Sequence, residues 1–125
     1  MLRACARLLR PGGRLAFLTI HPAEGLTPYQ RRRASRDGPV AVAVSRPHRE
    51  LLQAAGFIEI TESDLSDEFV TVTQGWIEQW DAHRTEMEVI WGQDAFRQRQ
   101  QERRKSLHTT RQGILRRSLF TALRP

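Results

Sequence analysis

Long apolar runs, cysteines and lysines are all scarce in this sequence. The longest apolar stretch, Leu15 to Ile20 with Thr19 inside it, is far short of the roughly 20 residues that span a bilayer, so no membrane helix is expected. The single cysteine, Cys5, excludes an internal disulfide and any cysteine-built zinc site. It falls on an apolar helical spacing, which suits a small core residue better than a nucleophile. His21, His48, His83 and His108 are scattered without ligand spacing, so no metal site is expected. The first residues, Met-Leu-Arg-Ala-Cys-Ala-Arg, lack the apolar segment and cleavage site of a secretory signal, which favours the cytoplasm. Lys105 is the one lysine, so the formal charge of +6 rests on arginine. That skew reflects coding composition as readily as function.

What is present fits one domain: 125 residues, 39% of them hydrophobic, make one modest core and leave no room for two. Leu2, Cys5, Leu8 and Leu9 have helical spacing, giving a helix over 1–10 that Pro11-Gly12-Gly13 stops. No Ser, Thr, Asp or Asn stands before it as a cap, as expected of a chain that opens inside a longer helix. The nearly unbroken apolar run over 14–20 reads as a strand covered on both faces. His21-Pro22 ends that strand, and 22–44, with its prolines and the block Arg31-Arg32-Arg33, reads as a long connection holding at most one helical turn. Ser45 is placed to cap a helix over 45–56 that accepts Pro47 in its first turn and stops at Gly56. A strand over 57–63 follows, with Ile58 and Ile60 on one face.

From Ser66, the positions Phe69, Val72, Trp76, Trp80, His83, Met87 and Ile90 recur at helical steps, predicting one amphipathic helix over 66–91. The β-branched run Val70–Thr73 and Gly75 predict irregularity in its first two turns. Gly92 separates it from a very polar helix over 94–110, and a strand over 114–123 closes the chain. The alternation places the chain in the α/β class.

Two segments carry more than an outline. Leu9-Arg10-Pro11-Gly12-Gly13-Arg14-Leu15 resembles the turn from the fourth helix into the fifth strand of class I S-adenosylmethionine-dependent methyltransferases. Leu51-Leu52-Gln53-Ala54-Ala55-Gly56-Phe57 resembles the helix end before that family's sixth strand. Gly113 to Phe120 resembles its last strand, which inserts antiparallel between those two. The resemblance covers nearly the whole chain. It implies the carboxy-terminal half of a Rossmann-like methyltransferase fold: about three strands, two parallel and the last antiparallel between them, with flanking helices. It also implies a parent enzyme that uses S-adenosylmethionine on a small-molecule acceptor. The glycine-rich loop that approaches the cofactor has no counterpart here, because Gly12-Gly13 ends a helix and precedes a strand. No cofactor-binding residue is therefore expected in this chain, and the chain alone is expected to bind no cofactor and to be inactive.

Candidate site residues follow from position. His21 stands just past the first strand, where loops of parallel sheets face ligands, and a histidine there can orient or deprotonate an acceptor. A loop histidine beside a proline explains it equally well. Glu24 and Tyr29 share that connection and are candidate pocket residues. Trp76 and Trp80 are candidates for an aromatic lid over a substrate, although a packed stripe including His83 and Met87 is the stronger reading. The basic residues from Arg97 to Arg117 motivate an alternative, a non-enzymatic module binding nucleic acid or a protein partner. Nucleic acid is not expected, since Gln98, Gln100, Gln101 and Glu102 interleave with these charges and no aromatic residue lies among them. Without its neighbour, the strand over 14–20 would leave an uncovered sheet edge prone to self-association.

Overall fold

The computed structural model describes residues 1–39 and 46–125. Within them the chain is α/β, with helices α1 (Leu2–Leu8), α2 (Pro28–Asp37), α3 (His48–Ala54), α4 (Ser66–Ala82), α5 (Arg84–Trp91) and α6 (Gln93–Arg111) and strands β1 (Arg14–Pro22), β2 (Ile58–Asp64) and β3 (Leu115–Leu123). The sheet order is β1-β3-β2. The expectation of two parallel strands holds only in direction. β1 and β2 run the same way, but both are hydrogen-bonded to β3 and every pairing is antiparallel.

Helices cover the sheet unequally. On one face Leu52, Phe57, Phe120 and Ala122 form the larger core, joined by Leu2, Cys5 and Ala6 of α1, by Leu9 just after it and by Leu15 and Phe17 of β1. On the other face Ala34 of α2 packs with Ile114 and Leu115, and α4 and α6 lie against β3. The Pro11-Gly12-Gly13 turn is locked to the end of β3: the Gly12 amide donates to Arg124 O at 2.8 Å and the Arg124 amide to Gly13 O at 2.8 Å. Gly12 has φ +77°, and a Cβ on Gly13 would meet Arg10 O at 2.8 Å. Neither position accepts an ordinary side chain.

Several boundaries correct the sequence reading. β1 continues through His21 and Pro22, because a proline with no N–H to give is tolerated as a strand's last residue at a sheet edge. The connection over 22–44 is not mainly loop: it holds the ten-residue helix α2, started by Pro28 at its first turn and by a capping box in which Thr27 and Gln30 bond each other's backbone amides. Those bonds settle the first orphan amides and outweigh the cluster of like charges. α3 starts at His48, and Pro47, not a side-chain cap, precedes it. The expected cap Ser45, with 40–44 at the end of the connection, lies outside the described residues.

The single helix over 66–91 is two helices with the break at His83, not in the first two turns, where α4 runs straight through Gly75. In one straight helix Trp80 and Trp91 would stand about 16 Å apart along the axis. Their rings instead meet edge to face with centroids 4.6 Å apart, so the chain folds back at His83, whose Nδ1 sits 3.0 Å from Gln79 O. The buried positions of α4 are Ser66, Thr73 and Ile77. The predicted stripe is therefore rotated: Val72 is 46% and Trp76 55% exposed, because α6 covers the neighbouring face.

A buried polar contact joins α2 to α6. Thr109 Oγ1 donates to Asp37 Oδ2 at 2.7 Å, and Arg36 Nε donates to Asp37 Oδ1 at 2.7 Å. The Arg36 hydrogen bond, with Thr109 and the charges of Arg36 and Arg33, holds the Asp37 carboxyl below its ordinary range, against the cost of burial.

Candidate functional site

In open α/β sheets ligands bind beyond the carboxyl ends of the strands that run together. Here that end is marked by His21 on β1 and Asp64 on β2, with α3 starting at His48 nearby. Alternation along β1 sends Phe17, Thr19 and His21 to the face that α3 covers. The same face receives Ser118 and Phe120 of β3 and Glu62 of β2, since Phe17 pairs with Phe120, Thr19 with Ser118, and Glu62 with Phe120.

Three strands thus deliver one polar cluster. Ser118, fully buried, donates from Oγ to Glu62 Oε1 at 2.9 Å, and its Oγ lies 2.9 Å from His21 Nε2. His21 Nε2 is 3.6 Å from Glu62 Oε1. His21 Nδ1 lies 3.0 Å from the Pro22 carbonyl, which can only accept, so Nδ1 carries a proton. Ser118 has one proton for two neighbours. When it serves Glu62, Ser118 Oγ faces His21 Nε2 as an acceptor; when it serves His21, Glu62 loses that bond. Both ring nitrogens of His21 have partners inside the chain in either case.

His48 completes the cluster. Its ring packs 5.3 Å from Phe120, 6.0 Å from Phe17 and edge-on to His21 at 5.5 Å. Burial first, and then the neighbouring His21, hold the His48 imidazole below its ordinary 6.5, against the opposing pull of Glu62. Asp64 lies beside them. Burial acts to raise its carboxyl, but hydrogen bonds from the Ser66 hydroxyl and amide and the charge of Arg116 bring it below the ordinary range.

The other sequence candidates fall elsewhere. Glu24 is exposed after β1, and Tyr29, 63% exposed, lies on the first turn of α2. Trp76 and Trp80 belong to the helical layer, where Arg103 sits 5.2 Å from the Trp76 ring centre and 3.2 Å from that of Trp80, and Arg99 sits 4.4 Å from that of Trp91. The guanidinium groups occupy ring faces that a lid would offer to a substrate. The basic segment is likewise engaged within the chain: Arg104 pairs with Asp81 and Arg116 with Asp64, Arg117 lies over Phe69, and Arg111 donates to Gln74. Among the described residues no group of His, Cys, Asp and Glu could hold a metal ion, and no helix is long and apolar enough to cross a membrane.

Sequence reasoning missed His48, Glu62 and Ser118 as site residues. The Pro47-His48 pair at a helix start was the one local signal. Ser118 stands 97 positions from His21, and only the register of β3 against β1 brings them together.

Among the described residues no glycine-rich loop joins a strand to a helix. The one strand-to-helix connection with a glycine, between β1 and α2, carries Gly25 alone, and the Gln30 amide at the helix start is already taken by Thr27. The Gly12-Gly13 amides and carbonyls serve the turn onto Arg124.

No protein-family model matches the sequence, and no curated protein matches it. Solved structures do. Phosphoethanolamine N-methyltransferase 2 of Haemonchus contortus, seen with phosphomonomethylethanolamine and S-adenosylhomocysteine, is 16% identical with a TM-score of 0.81, over 99% of this chain and 29% of that one. A cyclopropane synthase of Mycobacterium tuberculosis is 17% identical with a TM-score of 0.73, over 98% of this chain and 48% of that one. A [4+2]-cyclase is 20% identical with a TM-score of 0.62, over 99% of this chain and 43% of that one. The chain therefore has the fold of part of an S-adenosylmethionine-dependent methyltransferase and spans under half the length of each of these structures. The helix, Pro-Gly-Gly turn and inserted last strand fit the carboxy-terminal part.

Proposed function

We propose that this chain is the carboxy-terminal part of a methyltransferase that moves a methyl group from S-adenosylmethionine to a small-molecule acceptor, and that it holds no cofactor by itself. The observation that carries the reading is the likeness to a methyltransferase over 99% of the chain at a TM-score of 0.81, obtained on a sequence that already carries the family's two turn signatures in order. The fold alone does not fix the chemistry, and a cyclase shares it. The proposal for the acceptor therefore rests on the strand end where His21, His48, Glu62 and Ser118 meet. In this reading His21 positions that end, and Glu24 and Tyr29 lie on the connection beside it. Trp76 and Trp80, with Arg103 against their rings, stiffen the helical layer. A cytoplasmic location goes with the lone cysteine.

Isothermal titration of the 125-residue chain with S-adenosylmethionine is expected to give no saturable heat. A micromolar site would overturn the assignment of the cofactor to another part of the protein. The same reading leaves β1 with one unpaired edge among the described residues, flanked by Leu18 at 51% and Leu8 at 87% exposure. Such an edge pairs readily with another chain. Size-exclusion chromatography is expected to show dimers or larger species that grow with concentration; a monomer at every concentration would count against it.

A further inference from the structure

Two imidazoles share one carboxylate at the strand end, an imbalance that does not depend on the methyltransferase reading. His21 on β1 and His48 at the first position of α3 lie with ring centres 5.5 Å apart. Glu62 of β2 is the acidic group that faces both. Asp64, two residues further along β2, is already engaged: its Oδ1 takes the Ser66 amide and hydroxyl, and its Oδ2 faces Arg116 of β3 at 3.4 Å. The charged groups of α3 itself point elsewhere. Arg49 donates to Ile60 O at 3.0 Å, and Glu50, like Arg46 before the helix, is exposed.

The two rings differ in what a further proton does. His21 Nδ1 lies against Pro22 O and Nε2 against Ser118 Oγ, which also bonds Glu62 Oε1. A charged His21 completes that row: Nε2 donates to Ser118 Oγ, Ser118 donates to Glu62, and the new charge stands 3.6 Å from the carboxylate. His48 has no such row. Its ring lies among those of Phe17, Phe120 and His21, with no hydrogen-bonded partner among the described residues. Once Glu62 is matched to His21, a proton on His48 has a like charge beside it and no counter-charge. In water, away from those rings, an imidazole protonates near pH 6.5. α3 is lightly held as well, with seven residues, no side-chain cap and Leu52 as its buried residue. Its first turn can part from the sheet while Leu52 stays in the core.

We infer that α3 is a proton-operated clasp: a proton on His21 ties the three strands together, and a further proton on His48 frees the first turn of α3 from Phe17 and Phe120. The freed turn uncovers Phe120 and the His21–Ser118–Glu62 row, so entry to this strand end opens with acidity. No covalent step is involved.

The test is an NMR titration of the chain from about pH 8 to 5, following the His21 and His48 ring signals and amide exchange corrected for its intrinsic pH dependence. His21 is expected to take its proton first and His48 after it. As His48 titrates, exchange of the Leu51 amide, which bonds back to Pro47 O at 3.2 Å, is expected to quicken about tenfold, the worth of one pKa unit between the open and closed states. The Phe57 amide, held by Leu52 O, and the amides of α6 are expected to stay as they were. His48→Phe keeps a ring in the stack without a proton and is expected to abolish the rise. His21→Gln removes the like charge and leaves Glu62 to His48, so it is expected to shrink the rise to about twofold or less. The clasp is overturned if Leu51 and α6 quicken alike, or if His48 takes its proton with Leu51 still protected. It is equally overturned if either variant opens as the parent does, and one variant decides alone should the other not fold.

Discussion

Phe120→Ala is expected to cost about 3–5 kcal/mol of folding stability, read as a large drop in urea midpoint. Phe120 sits on the central strand at 2% exposure, stacked on Phe17 at 5.4 Å and in contact with the rings of His21 and His48 at 5.9 and 5.3 Å. Its removal opens a void beneath α3 that neither neighbouring strand can close, because both are held in register by β3. Since domains of this kind are stable by about 5–15 kcal/mol, the variant loses a large share of its margin. Trp76→Ala supplies the contrast. Trp76 is the larger residue but is 55% exposed, and its replacement is expected to cost under about 1 kcal/mol. Equal losses for the two would contradict the rotated burial of α4.

Asp37→Ala is expected to cost about 2–3 kcal/mol at neutral pH, through loss of the Thr109 and Arg36 hydrogen bonds that tie α2 to α6. The effect depends on pH with a definite sign. The folded state holds the Asp37 carboxyl below its ordinary range, so the native protein binds fewer protons than the unfolded chain near that range. The stabilisation is complete above the unfolded carboxyl pKa of about 3.9 and is lost as pH falls through the lower folded value. Urea midpoints of parent and variant are therefore expected to converge below about pH 3.9. His48 adds a loss of the same sign at milder acidity. With its folded imidazole held below 6.5, the parent loses stability as pH drops from 6.5 towards that lower value, and His48→Phe is expected to lose less. A gap between Asp37→Ala and parent that is unchanged from pH 7 to about pH 2 would remove the charged carboxyl from the explanation.

The parts of the fold that were legible in the sequence are those written in local chemistry. Pro11-Gly12-Gly13 admits one geometry, Gly56 has the positive φ of +90° that ends a helix, and the apolar run after Arg14 has only a strand to form. α2 was also written locally, in Thr27, Pro28 and Gln30, but three consecutive arginines disguised it as loop. The break at His83 was not local, because it answers to Trp91 returning to Trp80 and to the packing of α6. The polar cluster was the least legible. His21, Glu62 and Ser118 become neighbours only when the last strand enters between two earlier ones, and nothing near His21 announces Ser118. The same holds for Gln100, which reads as one more polar residue on a polar helix until Ile77 and Asp81 take both its protons.

The reading frame upstream of Met1 is where the proposed division of the molecule can be tested. That frame is expected to encode a strand followed by a glycine-rich loop, and the two parts expressed as one polypeptide are expected to bind S-adenosylmethionine with a saturable calorimetric signal that the present chain lacks. Binding by the chain alone, or none by the joined polypeptide, would contradict a cofactor held wholly by the preceding part.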